Sequence, residues 1–532
     1  MINQIEINNF RSIKEMVITP SNLCALIGPN STGKTNVLKA IDLVLGEGWA
    51  TKAKVARELF YDPGQEIFIK IDFTSPVPWQ YYDQQKNIRT VTLTMTYEPL
   101  DCKVRLWENY QDDRNGEGYY LNDEFKKSCH FVYIPSVRNL TSELRVSQWT
   151  MLGKIMRQIY DNYVSMYGGE EQHLKDEFAE QIRPAKEFLE ADFAEDKVTF
   201  KKFADTFQHF CKENSAGLAN EFDTVLDIYN LNWFYKTLQI HVKESFPNKH
   251  FDSEEVGAGM QNLLLISIFQ TYAHLMGGRV IFGIEEPEIY LYPQAQRALY
   301  RNFIELSETT QIFYTTHNPN FVSAGRPQDI VLLRKDEEQG TFPLEKNPYF
   351  NAENADRERY RIYTQFNPER NEIFFARKVL LVEGDSDKIL FTTLCEQRWG
   401  INVDELGISI VSCGGKGGVN YFVGVCGLIG LEDYFAVWDE DPDDESYQPE
   451  MDHLPGILEE KGLEISGNLE KFLGLSSSKD AKKVQNAHEW ALDETKTIPD
   501  EFERVRIFLM PPQPRQDEAQ VTEEIDPADI PF

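Results

Sequence analysis

Residues 28–35 read Gly28-Pro29-Asn30-Ser31-Thr32-Gly33-Lys34-Thr35, a GxxxxGK[ST] spacing suited to phosphate. Gly28 and Gly33 let the backbone N–H groups of a loop that also holds Asn30 wrap the phosphate oxygens. Lys34 places a cation on the outer phosphates, and Thr35 offers a hydroxyl to Mg²⁺. Phosphoryl transfer further needs a carboxylate at the metal and a group that polarises water, roles open to Glu285 and Glu286 respectively. His317 is a polar group suited to a γ-phosphate, and Gly257, Gly259 and Gln261 open an apolar helix whose free N–H groups can hold an anion. A second set, Glu383, Asp387, Asp439 and Asp441, has no phosphate cradle. Gathered together, these acids repel one another unless a hard cation such as Mg²⁺ or Mn²⁺ sits among them.

Strand ends must position these groups. Leu23-Cys24-Ala25-Leu26-Ile27 is an apolar run leading directly into the first glycine, and a helical pattern follows Thr35. Val280 to Ile284 ends in Glu285-Glu286, and Gln311 to Thr316 ends in His317. Farther on, Val379 to Val382 ends in Glu383, and Gly384 permits the sharp turn that returns Asp387 to the same corner. Asp385 is expected to cap the helix that begins there. Ile408 to Val411 precedes Gly414-Gly415-Lys416-Gly417-Gly418, and Tyr434 to Trp438 ends in Asp439-Glu440-Asp441. In extended chain Asp439 and Asp441 point to one side. Between the halves of the first unit, about 148–230 reads as a helical insert, with Phe200, Phe203, Phe207 and Phe210 expected as a core stripe. Sustained heptads are missing, so a long coiled coil is not expected.

At 532 residues the chain exceeds one ordinary core, and roughly 150 residues per domain implies about two to four units. No apolar run approaches the roughly 18 to 20 residues that cross a bilayer, and the N-terminus alternates like a strand, unlike a signal peptide. A soluble, cytoplasmic protein with no membrane partner is expected. Seven cysteines, an odd number without a CxxC pair, read as reduced thiols without assigned chemistry. The formal charge is −32, whereas a protein gripping a phosphate backbone usually presents a basic surface. Either a basic groove is local or the bound species is small. Part of the acidity lies in residues 511–532, a proline-broken tail expected to be disordered.

Phe10-Arg11-Ser12, the Gly28–Thr35 loop, the Gly257–Gln261 helix start, Glu285-Glu286-Pro287-Glu288 and Thr316-His317 together resemble an ABC ATPase head. The strand-Glu383-Gly384 unit followed by Asp439 and Asp441 resembles a Toprim domain. More narrowly, the join through Phe374-Phe375-Ala376 is similar to that of OLD (overcoming lysogenization defect) family nucleases. Phe131 to Arg138 also resembles a strand and turn of that family.

The resemblance implies an α/β chain: an ABC-type P-loop ATPase head over 1–365, a Rossmann-like Toprim domain over 374–510, and the acidic tail. It implies ATP with Mg²⁺ at the first site, and two Mg²⁺ or Mn²⁺ at the second. It also implies a head-to-head homodimer in which the Gly257–Gln261 signature caps the nucleotide of the other head. A late lysine, assigned to Lys483 with Lys482 and Lys479 as rivals, would offset transition-state charge, and Glu470 would be a further metal-site acid. Two departures stand out. Glu285 occupies a position usually filled by Asp, and Asp387 one where many Toprim domains carry Glu. The implied activity is nucleotide-gated, metal-dependent cutting of DNA, and many members act in antiphage defence, some with a partner protein. A regulatory ATPase scaffold that does not cut is the alternative, favoured by the net acidity; a topoisomerase or primase would not normally carry an ABC head.

Overall fold

The computed structural model describes residues 1–109, 118–136, 150–166, 168–191, 199, 201–206, 240–243, 250–253, 255–275, 280–323, 325–345, 368–440, 461–475 and 480–510. Its contacts divide the chain into two units. One comprises Met1–Ile134, Ile281–Glu288 and Pro293–Phe532; the other comprises Pro135–Val280 and Ile289–Tyr292.

The N-terminal part of the first unit supplies β1 (Ile2–Phe10), β2 (Ile13–Ile18), β3 (Leu23–Ile27), β4 (Ile67–Tyr81), β5 (Gln84–Thr96), β6 (Asp101–Trp107), β7 (Tyr119–Tyr120) and β8 (His130–Ile134). In the second unit, β9 (His241–Lys243) and β10 (His250–Asp252) form an antiparallel hairpin. The large sheet is completed by β11 (Val280–Glu285), β12 (Gln311–Thr315), β13 (Ile330–Asp336) and β14 (Gly340–Pro343). Among the described residues its order is β7-β6-β5-β4-β1-β2-β14-β13-β3-β12-β11-β8.

Two regimes meet in this sheet. From β7 to β2 and across β14 the pairing is antiparallel, whereas β13, β3, β12 and β11 pair in parallel. Every residue of β3, β11 and β12 is buried. That is why these three strands read as continuous apolar runs, while β2 alternates. The helix Lys34–Leu45 covers the sheet with Val37, Leu38, Ala40, Ile41, Val44 and Leu45, the three-to-four spacing of one helical face. Lys126 Nζ donates to Gly46 O at 2.7 Å and Gly48 O at 3.0 Å, fixing the chain where that helix ends.

Gly283 marks a close approach within β11. A Cβ there would run into the ring of Phe131, which is fully buried on β8. Gly283→Ala is therefore expected to cost about 1–3 kcal/mol through overpacking. In a Phe131→Leu background the added cost should shrink, because the obstructing ring edge is gone. Denaturant midpoints of the four proteins check this, and an equal cost in both backgrounds would refute the contact.

A separate parallel sheet follows in the same unit, β15 (Lys378–Val382), β16 (Ile408–Ser412), β17 (Tyr434–Asp439) and β18 (Gly462–Ile465), in the order β16-β15-β17-β18. Its core joins Leu380, Val382, Phe435 and Val437 to Leu390, Phe391, Ala487, Trp490 and Phe502 from flanking helices.

The second unit holds helices Met151–Met166, Glu171–Glu190 and Ala258–Leu275. The first two lie inside the stretch expected to be helical. Phe203 corrects the expected aromatic core stripe: it is 50% exposed, while its neighbour Ala204 is the buried residue of that turn. Phe200, Phe207, Phe210 and Arg138 lie outside the described residues, as does the tail 511–532. No helix among the described residues is long and apolar enough to cross a membrane.

Candidate active sites

The loop between β3 and its helix is built around two glycines at which any side chain would be strained. Gly28 has φ +147°, and a Cβ there would strike the Leu333 carbonyl. Gly33 has φ +96°, and its Cβ would stand 2.5 Å from Thr341 Oγ1 and 2.7 Å from Ser12 Oγ. The seat beneath Gly33 is hydrogen-bonded: Ser12 and Thr341 hydroxyls lie 2.7 Å apart, and Asn36 Nδ2 donates to Ser12 Oγ at 2.8 Å. This explains Ser12, for which sequence reading had no physical role.

Lys34 begins the helix, is 7% exposed, and donates through Nζ to Gly28 O and Pro29 O at 2.9 Å each. Burial pushes its pKa down to about 8, against the pull of the Glu286 carboxylate. Thr35 follows on the first helical turn, and Asn30 is exposed at the loop tip.

Glu285 ends β11 buried, with the Tyr133 hydroxyl hydrogen-bonded to it. Burial and that carboxylate's charge push the phenol's pKa well up, so Tyr133 remains a donor. Glu286 sits at φ +43°, a left-handed conformation uncommon outside glycine, held by its N–H donating to Thr315 O at 3.0 Å. His317 lies within reach of both Lys34 and Glu286. Partial desolvation and then the Lys34 cation push its pKa down, against the pull of Glu286. One residue beyond the expected set completes the corner. Glu288 Oε1 accepts from Thr316 Oγ1 at 2.6 Å and from the His317 N–H at 3.1 Å, fixing the turn that carries the imidazole.

These residues fit a nucleotide with its divalent ion. The glycine cradle leaves room where side chains would intrude, and Lys34 supplies a desolvated cation. In addition, Arg11 keeps a buried Nε with no hydrogen-bond acceptor among the described residues. In the second unit, Gly257, Gly259 and Gln261 lie where the sequence puts them, at the start of helix Ala258–Leu275. There a Cβ on Gly259 would stand 2.6 Å from Tyr290 O, and Asn262 Nδ2 donates to Ile289 O at 3.1 Å.

On the second sheet, β15 and β17 are neighbours, so their C-terminal ends bring Glu383 and Asp439 together. The Asp439 N–H donates to Glu383 Oε2 at 3.0 Å. Asp387 is 6% exposed, and its Oδ2 accepts from the Gly384 N–H at 3.0 Å. Gly384 is thus the N-cap residue, closed by the Asp387 side chain returning from N3, and Asp385, expected as the cap, is simply the first helical residue. Burial, then Asp439, then Glu383, push the Asp387 carboxyl up to about 8.

Asp439 Oδ1 accepts from Leu469 N at 3.1 Å, which ties the start of the short helix carrying Glu470 to Asp439. Glu470 in turn pairs with Lys483 at 3.6 Å. Lys482 is exposed, and Asp441 and Lys479 lie outside the described residues. Among the described residues no three carboxylates are already gathered as a ligand set. Their chemistry nevertheless fits a hard divalent cation: the donors are oxygens, and the charges of Asp439 and Glu383 add to burial in raising Asp387.

The two arrangements in one chain define an ATPase domain joined to a TOPRIM nuclease domain. The family model of the AAA ATPase domain matches residues 1–104 and 80–322, and that of the overcoming lysogenization defect protein-like TOPRIM domain matches 374–441. The chain belongs to this ATPase family and carries an OLD-like TOPRIM domain, making it an α/β ATPase-linked nuclease using nucleotide and divalent metal.

The OLD nuclease of Thermus scotoductus is 29% identical over 461 residues, 83% of this chain and 82% of that protein. The Old nuclease of Escherichia phage P2 is 21% identical, covering 80% and 75%. Endonuclease GajA of Bacillus cereus is 22% identical, covering 74% and 68%.

Proposed function

We propose that this chain is an ATP-binding and ATP-hydrolysing, metal-dependent DNA endonuclease whose cutting is controlled by nucleotide, and that it acts in antiphage defence or DNA processing. The observation that carries the reading is the pairing, within one compact unit, of a P-loop corner with a strand-end carboxylate corner. The names of the relatives, two nucleases and an endonuclease, support DNA as the substrate.

In the first corner the residues divide the work. Lys34 and the loop amides hold the phosphates, Thr35 and Glu285 hold Mg²⁺, Glu286 orients water, and His317 contacts the γ-phosphate. Gly257, Gly259 and Gln261 would cap a nucleotide held by a second copy, which makes the working form a homodimer. In the second corner Glu383, Asp387, Asp439, Asp441 and Glu470 would hold Mg²⁺ or Mn²⁺, two ions in the full set. Bound there, the metal supplies an activated water and neutralises charge on the scissile phosphate. Lys483, drawn in by Glu470, stands by for the charge that develops as the phosphodiester breaks.

Supercoiled and linear DNA incubated with Mg²⁺ or Mn²⁺, with and without ATP, tests this reading. Cutting that stops on chelation and changes rate with ATP supports it. A chain that hydrolyses ATP yet leaves DNA intact in every metal would instead be a regulatory ATPase scaffold. The net charge of −32 is the observation that keeps that second reading in view.

A further inference from the structure

Asn371 sits in the 3-10 segment Pro368–Phe374, which leads into β15, and it is 4% exposed. Its Nδ2 donates to Pro319 O and to Val322 O, each at 2.9 Å. Those carbonyls bracket the short turn Pro319–Phe321, which begins two residues after His317.

The turn itself is stitched at every step. Asn318 N donates to Thr316 Oγ1 at 2.9 Å, and Asn320 N to Asn318 Oδ1 at 2.9 Å. The side-chain amides of Asn318 and Asn320 both donate to Gln296 Oε1, at 2.9 and 3.0 Å. The Tyr314 hydroxyl donates to Phe321 O at 2.6 Å. A shift at His317 therefore carries Pro319 and Val322 with it, because packed and hydrogen-bonded elements move as blocks.

The residue before Asn371 reaches the other way. Arg370 lies against the turn after β16, where a Cβ on Gly414 would stand 2.8 Å from Arg370 Nη2. In that turn the Gly414 and Gly415 N–H groups both donate to the Glu383 carbonyl, at 2.9 Å each. Adjacent residues thus join the end of β12 to the backbone of the strand-end acid in the TOPRIM domain.

We propose that Asn371 is a positioning residue that transmits the nucleotide state of the His317 turn to Glu383. The inference rests on the assignments of His317 to the nucleotide and Glu383 to the metal made above, and it names the physical link for control of cutting. Couplings between sites of this kind typically change an affinity or population by about 5- to 150-fold.

Hydrogen exchange on the full-length chain, with Mg²⁺ and with or without a non-hydrolysable ATP analogue, tests it in wild type and Asn371→Ala. In wild type the analogue should slow exchange over 316–323 and also over 411–418. In Asn371→Ala the first response should persist while the second falls to roughly a third or less, with ATP hydrolysis and nucleotide-free cutting within about threefold of wild type. Asn371→Ser, which keeps a donor at shorter reach, is read the same way if the alanine variant does not fold.

An undiminished response over 411–418 in the variant overturns the proposal. So does a wild-type response that stops at 323. No wild-type response at 316–323 overturns it together with the assignment of His317. If exchange is transmitted but cutting ignores nucleotide, control of cutting fails as a reading while the Asn371 link stands.

Discussion

Lys34→Ala is expected to lower ATP hydrolysis by about 100- to 1,000-fold while leaving the chain folded. One donor aimed at developing charge is worth about 2.7–4 kcal/mol, and each 1.36 kcal/mol is tenfold in rate. Stability should change little, because the folded chain gains little from this ammonium. Its pKa falls from 10.5 to about 8 on burial, so without nucleotide the charge is a destabilising one. That penalty is complete below about pH 8 and fades as pH rises toward 10.5. The alanine variant loses it, and also loses two hydrogen bonds to Gly28 O and Pro29 O. Thermal denaturation with and without saturating ATP separates the effects. Wild type should gain roughly 2.7 kcal/mol at a hundredfold excess over Kd, and the variant almost none. Hydrolysis within about tenfold of wild type would show that Lys34 does not serve the phosphates.

Asp387→Asn should move stability and cutting in opposite directions. The carboxyl is raised from 3.8 to about 8 by burial and by the charges of Asp439 and Glu383. The metal-free folded state therefore binds this proton more tightly than the unfolded state does. The resulting destabilisation is absent below about pH 4, grows as pH rises, and levels off above about pH 8. An amide has the same shape, still accepts from the Gly384 N–H and carries no charge. At pH 7 without metal the variant should be more stable by roughly 1–3 kcal/mol, and at pH 4 no more stable than wild type. Metal-dependent cutting should fall at least about 100-fold, since an amide is a poor ligand for a hard dication. ATP hydrolysis should persist. Urea denaturation at the two pH values and a plasmid-cutting assay check both halves. A variant that cuts at near wild-type rate would remove Asp387 from the metal site.

What the sequence made legible was whatever is local. Buried parallel strands appear as unbroken apolar runs, and the residue that ends such a strand is exposed to chemistry. Reading along the chain therefore picks out Glu285, Glu286, His317, Glu383 and Asp439 as groups at strand ends and Lys34 at a helix start, which is where the structure puts them. Two things were hidden because they depend on partners far along the chain. Ser12 supports Gly33 only once Thr341 arrives, 329 residues later. Asn371 has meaning only beside Pro319 and Val322. The expected cap at Asp385 failed locally, because the side chain that returns to the Gly384 N–H is that of Asp387. Phe203 failed for a related reason: aromatic periodicity shows that a face exists, and only packing shows whether it is covered.

The order of the large sheet also governs how the chain can fold as it is made. β14 and β13 stand between β2 and β3, and the Ile2 N–H and carbonyl are both satisfied by the side chain of Gln311, 309 residues away. Until that later stretch leaves the ribosome, β2 presents an unpaired edge. At about 5–20 residues per second the wait is roughly 15 to 60 s. An open edge of that duration invites pairing with another nascent chain. The solvent-facing Lys14, Glu15 and Val17 of β2 put two charges on the strand during that interval, which discourages such pairing.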